Sequence, residues 1–410
     1  MKRWNIYTPE GMQDILFEHC YFKRNLENSI RQMFIQSGYK EIETPTVEFY
    51  DVFSGDQNLI PQEDMFKFTD SQGRILALKP DMTVPIARVA ATKLKEDIWP
   101  VKIFYVGNTF SYNELGGGKQ KEYTQAGVEV LGVNSAEADA ELIALAIQAL
   151  ELAGIEEFQI DLGQVDFFRG LMEQSGLSPE ESEQVRELID TKDFVGVEQL
   201  VSIHNIPGEL KELILSLPTY FGSTDVIDEL SKKNVSGKAL KALEYLKNVV
   251  TILEDWGFGE HISIDLGMVQ RLNYYTGIVF RGFTHGVGYP VLSGGRYDNL
   301  VQRFGKQCPA TGFSLGINMI MTALERQGKL KVPVQGGFYI LYHKDARQKA
   351  FSVLNELRAE GEIAELDIAS MDIEKAKFYA KSRGIEKIVV IDKDSNVDII
   401  PVARLTKTSS

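Results

Sequence analysis

The sequence predicts an α+β protein: a large main domain of strands and helices, a helical insertion within it, and a small α/β domain after it. Three observations carry this. Glu122–Leu131 alternates polar and apolar residues as a strand does and runs into a long helical stretch. Two near-identical strand phrases, IDLG at 160–163 and again at 264–267, bracket a charge-rich segment with helical spacing. After Gln327 short strand-like runs alternate with helical ones.

In chain order, Phe22, Leu26, Ile30, Met33 and Phe34 form an apolar stripe at helical spacing, and Gly38 stops that helix. EIETPTVEF then alternates around a proline, which predicts a strand at an edge or bulge. Further short strands are expected near Ile75–Leu78 and Ile103–Val106. Past Glu122–Leu131, Asn134 is placed to cap a helix through Ala153, with Glu137 at the capping-box position and Gly154 at the exit. The bracketed segment, 166–261, is expected to be an insertion that packs rather than binds. Leu272–Phe280 (LNYYTGIVF) predicts a strand. The main domain is expected over 1–326 and the small domain over 335–410, joined by GKLKVPVQGG. In the small domain FYILY and KIVVI predict strands, with helices near 346–360 and 372–383. Ser370 or Asp372 caps the second helix, and Lys381 and Arg383 suit its C-terminal dipole.

The bulk properties narrow the function. With 410 residues, 44% hydrophobic and 25% charged, the chain has an ordinary globular composition. No apolar run approaches the roughly 18 residues that predict a membrane span. The N-terminal MKRWNIYTPEGMQD lacks the apolar stretch of a secretion signal. Cys20 and Cys308 are far apart and have no partnering histidines, so neither a metal site nor a disulfide frame is expected. Both are expected to be core thiols in a cytoplasmic protein. A formal charge of −14, from 44 basic and 58 acidic residues, argues against nucleic acid as the main partner. Gly116–Gly118 with Lys119 lacks phosphate-loop spacing and predicts a hairpin connection.

Three constellations can carry chemistry. On the strand 124–131, Gln125, Gly127 and Glu129 share one face, while the wholly apolar Ala126, Val128 and Val130 face a core. Two readings of the first face stand: a solvent-facing surface, or a glycine gap between an amide and a carboxylate that admits a small polar ligand. In KPDMT, Asp81 and Thr83 can point the same way and suit an ammonium group, although acid–threonine pairs also occur in ordinary turns. Of the adjacent Tyr274 and Tyr275, only one can look into a given pocket.

Three segments, Gly38–Glu48 (GYKEIETPTVE), Phe104–Gly132, and GGRYDNLV with GFSLGINM over 294–319, resemble the signature motifs of class II aminoacyl-tRNA synthetases, closest to histidyl-tRNA synthetase. The resemblance covers about Tyr7 to Leu324, in the family's order, with a shortened C-terminal domain after it. It implies a class II synthetase-like antiparallel sheet flanked by helices. It implies a histidine site in which Asp81 and Thr83 hold the α-ammonium, Gln125 the amino-acid backbone and Glu129 the imidazole nitrogen. Tyr275 and Tyr297 would line the same pocket.

The family's nucleotide-gripping arginines are replaced. FSYN puts Ser111 where a phrase like FRxE has arginine, GINM puts Met319 where GLER has one, and Gln270 stands where RGLDYY has one. Losing one preorganised cation typically costs about 3 kcal/mol of transition-state stabilisation, so adenylate formation is not expected. An amino-acid site without its ATP site resembles the ATP phosphoribosyltransferase regulatory subunits, a histidyl-tRNA synthetase-like family; NYYTG and GGRYDNL look like that family. This implies a hetero-oligomer with a short-form catalytic subunit, a homodimer building unit formed through the first motif around Pro45, L-histidine as effector, no cofactor and no catalytic residue in this chain. Two alternatives stay open: an active histidyl-tRNA synthetase with unusual motifs, and an amino-acid-binding paralogue with another partner.

Overall fold

The computed structural model describes residues 4–54, 60–94, 96, 98–112, 120–204, 206–269, 275–330 and 336–402. Two compact units result, Met1–Leu330 and Lys331–Ser410.

The first unit opens with α1 (Phe17–Gln36), whose Leu26, Ile30 and Phe34 are buried. Gly38, two residues past its end, takes φ +85°, where a side chain would strain. The proline-interrupted stretch divides into β1 (Lys40–Glu41) and β2 (Val47–Phe49). With β3 (Lys67–Thr69) and β4 (Ile75–Leu78), β2 forms a three-stranded antiparallel sheet in the order β2-β4-β3. Then come α2 (Thr83–Thr92), β5 (Val101–Phe110), β6 (Glu122–Leu131), α3 (Ala136–Ala153) and β7 (Phe158–Gln164). The capping residue of α3 is Ser135, not Asn134: the Ser135 hydroxyl accepts the Ala138 amide, which leaves Glu137 one position short of a capping box. Gly154 closes the helix at φ +88°.

The insertion holds α4 (Val165–Ser175), α5 (Pro179–Asp190), α6 (Phe194–Ser202), α7 (Gly208–Ser216), β8 (Phe221–Gly222), α8 (Asp225–Ser231) and α9 (Gly237–Asp255). Ser178 and Glu181 give α5 a reciprocal capping box, with Pro179 in its first turn. Gly170 lets α4 lie close against α9, since a Cβ there would stand 2.3 Å from the Ala239 nitrogen. The chain returns through β9 (Ile262–Asp265), β10 (Ile278–Thr284), β11 (Leu292–Arg296), β12 (Ala310–Gly316) and α10 (Ile317–Arg326).

These strands make a nine-stranded sheet ordered β1-β5-β6-β12-β11-β10-β7-β9-β8. Its centre is antiparallel, while β1 with β5 and β7 with β9 are parallel, so the sheet is mixed. The two IDLG phrases fall in neighbouring strands, with Asp161 beside Ser263 and Leu162 beside Ile264. One face packs Ala126, Val128, Val130, Phe280 and Phe313 into the main core with α1, α3 and α9. Helix α3 is buried nearly all round, as expected of a helix apolar on every side. On the other face Tyr105, Leu131, Val279 and Tyr297 pack with residues of α2.

In the second unit β13 (Phe338–Tyr342), α11 (Arg347–Ala359), β14 (Ala364–Leu366), α12 (Ile373–Arg383), β15 (Lys387–Ile391) and β16 (Val397–Pro401) form a sheet ordered β14-β13-β15-β16. Apolar clusters lie on both sides of it: Ile340 with Ala350 and Leu354 of α11, and Tyr339 with Ala376 and Ala380 of α12. Asp372, rather than Ser370, caps α12 through the Lys375 amide.

Two expectations are corrected. The strand expected over Leu272–Phe280 begins only at Ile278, and residues 270–274 lie outside those described. Cys308 is buried, but Cys20 is partly exposed on α1 and is no core thiol. Among the described residues no helix is long and apolar enough to cross a membrane, and no His/Cys/Asp/Glu group is arranged to hold a metal ion. The glycine run 116–118 with Lys119, and Asn113, the last residue of the FSYN phrase, lie outside the described residues.

Candidate functional site

A cavity of about 240 Å³ opens on the α2 side of the large sheet. Asp81, Thr83, Ser111, Gln125, Tyr275 and Tyr297 all line it, from segments nearly 220 residues apart in the chain. The placement follows from local folding. Asp81 sits just before α2 and accepts the Val84 amide at 2.7 Å, so the acid of KPDMT holds the first turn of that helix as well as facing the cavity. Burial pushes the Asp81 carboxyl above its usual range, while the amides of Val84, Thr83 and Met82 pull the other way. Thr83 begins α2 and points back to the sheet.

Glu129 lies beneath the cavity, 1% exposed. It accepts the Thr83 hydroxyl at 2.8 Å on one oxygen and the Tyr297 hydroxyl at 2.5 Å on the other. Burial raises its pKa to about 8; the hydroxyls of Tyr297 and Thr83 lower it, and the Asp81 charge raises it further. The ligand-free site thus keeps Glu129 mostly protonated at neutral pH, a carboxyl ready to ionise when a positive or N–H-bearing group arrives. Its bed is built by Gly312 on the neighbouring strand, where a Cβ would stand 1.6 Å from a Glu129 oxygen.

The expected gap at Gly127 is not open. Tyr105, its register partner on β5, lays its ring there: a Cβ on Gly127 would meet the phenol oxygen at 2.5 Å. The glycine therefore admits a buried tyrosine, not a ligand. Tyr105 interacts with Thr83, and burial together with Glu129 and Asp81 pushes its pKa well up, so a neutral phenol supports Thr83 from behind the lining residues. Sequence reading missed Tyr105, and also Ser293 and Ser314, which form the far wall. Only the strand registers reveal them.

Of the three positions where arginine is replaced, Ser111 lies in the cavity wall and is neutral. Met319, in the first turn of α10, packs partly buried against the main core and does not line the cavity. Gln270 lies outside the described residues.

The family model for histidyl-tRNA synthetase matches residues 11–320. An ATP phosphoribosyltransferase regulatory subunit of Acetivibrio thermocellus is 58% identical over 399 residues, which is 97% of this chain and 96% of that one. The chain belongs to the ATP phosphoribosyltransferase regulatory subunit family. The member from Ruminiclostridium cellulolyticum is 50% identical over 98% of this chain and 96% of its own. The crystal structure of an ATP phosphoribosyltransferase regulatory subunit/histidyl-tRNA synthetase from Bacillus halodurans superposes with a TM-score of 0.85 at 32% identity, over 96% of this chain and all of that one. A histidyl-tRNA synthetase from Nostoc gives 0.80 at 23% identity, over 97% of each chain, and shows the fold alone. The class II synthetase-like fold is thereby shown, with a mixed sheet. This regulatory-subunit family thus carries, in the present chain, a polar cavity on a synthetase frame.

Proposed function

We propose that this chain is the non-catalytic regulatory subunit of an ATP phosphoribosyltransferase. It assembles in the cytoplasm with a short-form catalytic subunit, is required for the first step of histidine biosynthesis, and senses L-histidine for feedback inhibition. A homodimer of the synthetase-like unit is the building block. The observation that carries this reading is the pairing of full-length kinship to named regulatory subunits with a cavity that keeps Asp81, Thr83, Gln125, Tyr275 and Tyr297 around it while Ser111 stands neutral in its wall.

The cavity volume is below the roughly 300–1,000 Å³ typical of pockets for drug-sized ligands, which suits one amino acid better than a nucleotide. Asp81 and Thr83 receive the ammonium, Gln125 the amino-acid backbone, and Glu129 with Tyr275 the imidazole. A carboxyl and a phenol around a ring bearing one N–H and one acceptor nitrogen select histidine over similarly sized apolar residues. Feedback then needs only that histidine bind one arrangement of the assembly better than another, and that the favoured arrangement be less active.

The test mixes the purified chain with a short-form catalytic subunit lacking its own regulatory domain. Co-purification, restored phosphoribosyl transfer from 5-phosphoribosyl 1-diphosphate to ATP, and inhibition by histidine are expected. By calorimetry Glu129→Ala should bind histidine at least about tenfold more weakly than the unaltered chain. Equal binding by the two proteins defeats the cavity assignment. A second reading, an active or divergent histidyl-tRNA synthetase, is favoured by the family-model match and by the joint name of the Bacillus halodurans structure. Histidine-dependent ATP–diphosphate exchange by the chain alone would establish it.

A further inference from the structure

Arg281 stands on the site face of the sheet, near three aspartates but without a hydrogen bond or ion pair among the described residues. On β10, Phe280 packs into the helix-covered core and Val279 into the cluster containing Tyr275 and Tyr297, so Arg281 shares the face of the cavity, just beyond the residues that line it. The registers place it further. Arg281 pairs with Ser293, Ser293 with Ser314, and Ser314 with Gly127. Both serines line the cavity. With strands about 4.8 Å apart, the far serine lies roughly 10 Å from the Arg281 backbone, and the cavity begins at the near one.

Arg281 is partly buried, yet among the described residues it makes no hydrogen bond and no ion pair. Asp161 lies directly opposite on β7, but its carboxylate takes the Ser263 hydroxyl instead. Asp190, Asp265 and Asp161 act on Arg281 through their field alone, as does Tyr275 of the cavity wall. A guanidinium is always charged and carries five N–H donors in a planar fork. Leaving that fork unpaired in a partly dry place is costly. What fits it, across a wall of two hydroxyls, is a planar anion: a carboxylate.

Resting on the reading of the cavity as an amino-acid site, we propose that Arg281 binds the α-carboxylate of the bound histidine. It supplies from β10 the cation that Ser111 and Gln270 do not. An amino acid then meets three distinct chemistries: an acid at its ammonium, a carboxyl and phenol at its ring, and a guanidinium at its carboxylate.

The experiment compares L-histidine with L-histidinamide, the same molecule with its carboxylate made neutral, by calorimetry on the full chain. The unaltered chain is expected to prefer histidine by about 10- to 100-fold. Arg281→Gln should lose most of that preference, with histidinamide affinity changed less than about twofold. Arg281→Lys, which keeps a charge without the fork, should retain part of it and covers the case in which the glutamine variant fails to fold. An unchanged preference in Arg281→Gln, or equal weakening of both ligands, overturns the role of Arg281 while leaving the cavity assignment standing. If the unaltered chain binds neither ligand, the cavity assignment falls, and this proposal with it.

Discussion

At pH 7, Glu129→Gln is expected to raise the unfolding free energy of the ligand-free protein by about 3 kcal/mol. Glu129 is 1% exposed and its pKa is raised from 4.5 to about 8, chiefly by burial. The folded chain therefore holds a proton that the unfolded chain releases above pH 4.5. Stability from this group is fully present below that pH and is lost as pH rises, by about 1.4 kcal/mol per unit, until pH 8. Glutamine mimics the protonated acid, with a donor and an acceptor for the hydroxyls of Thr83 and Tyr297, and does not titrate. The gain should vanish near pH 4.5 and level off above pH 8. Urea unfolding of both proteins across pH 5 to 8.5 measures it; a difference that stays flat over that range would show that Glu129 is not the buried acid described. Retaining a destabilising carboxyl is sensible only if its ionised form is used, and the histidine side chain proposed as ligand would use it. Natural sites commonly trade stability for function in this way.

Much of this site was legible before the fold was known. The alternation of Glu122–Leu131 assigns Glu129 and Gln125 to one face because a strand's period of two leaves no other choice. The acid–threonine pair of KPDMT reaches the same cavity because Asp81 both precedes and holds the first turn of α2. What failed depended on partners distant in sequence. Nothing near Gly127 says that Tyr105, 22 residues earlier, falls opposite it; only the pairing register puts the phenol in the gap. Arg281 and the wall of Ser293 and Ser314 were invisible for the same reason. The miss at the start of α3 was smaller: Asn134 and Ser135 both cap helices well, and which one does is decided by the extended backbone of Ser135. The repeated IDLG phrases were readable as a pair of strands, but not as parallel neighbours that bring the Ser263 hydroxyl onto the Asp161 carboxylate.

Asp139→Asn is expected to cost about 3–5 kcal/mol of stability, a loss of the size seen when one member of a buried ion pair is removed. Asp139 on α3 and Arg296 on β11 are 1% and 3% exposed. The guanidinium grips the carboxylate at both oxygens, at 2.8 and 3.0 Å, and donates also to the Val133 carbonyl and to Asp298 at 3.1 Å. From the insertion, the Tyr245 hydroxyl donates to Asp139 at 2.8 Å. The asparagine leaves Arg296 charged and buried with only the half-buried Asp298 as an anion, and its NH2 group points donors at donors. The decisive control is the double variant Asp139→Leu with Arg296→Met, which removes both charges and should recover most of the loss, since the pair's attraction and its desolvation nearly offset each other. Urea midpoints of the two single variants and the double variant measure the coupling. A single-variant cost below about 1 kcal/mol, the range of exposed pairs, would refute the assignment. Arg296 ends β11 and immediately precedes Tyr297, whose hydroxyl donates to Glu129. The network therefore fixes the strand that carries one wall of the cavity to α3 and, through Tyr245, to α9 of the insertion. Loosening it should weaken histidine binding without touching any residue that lines the cavity.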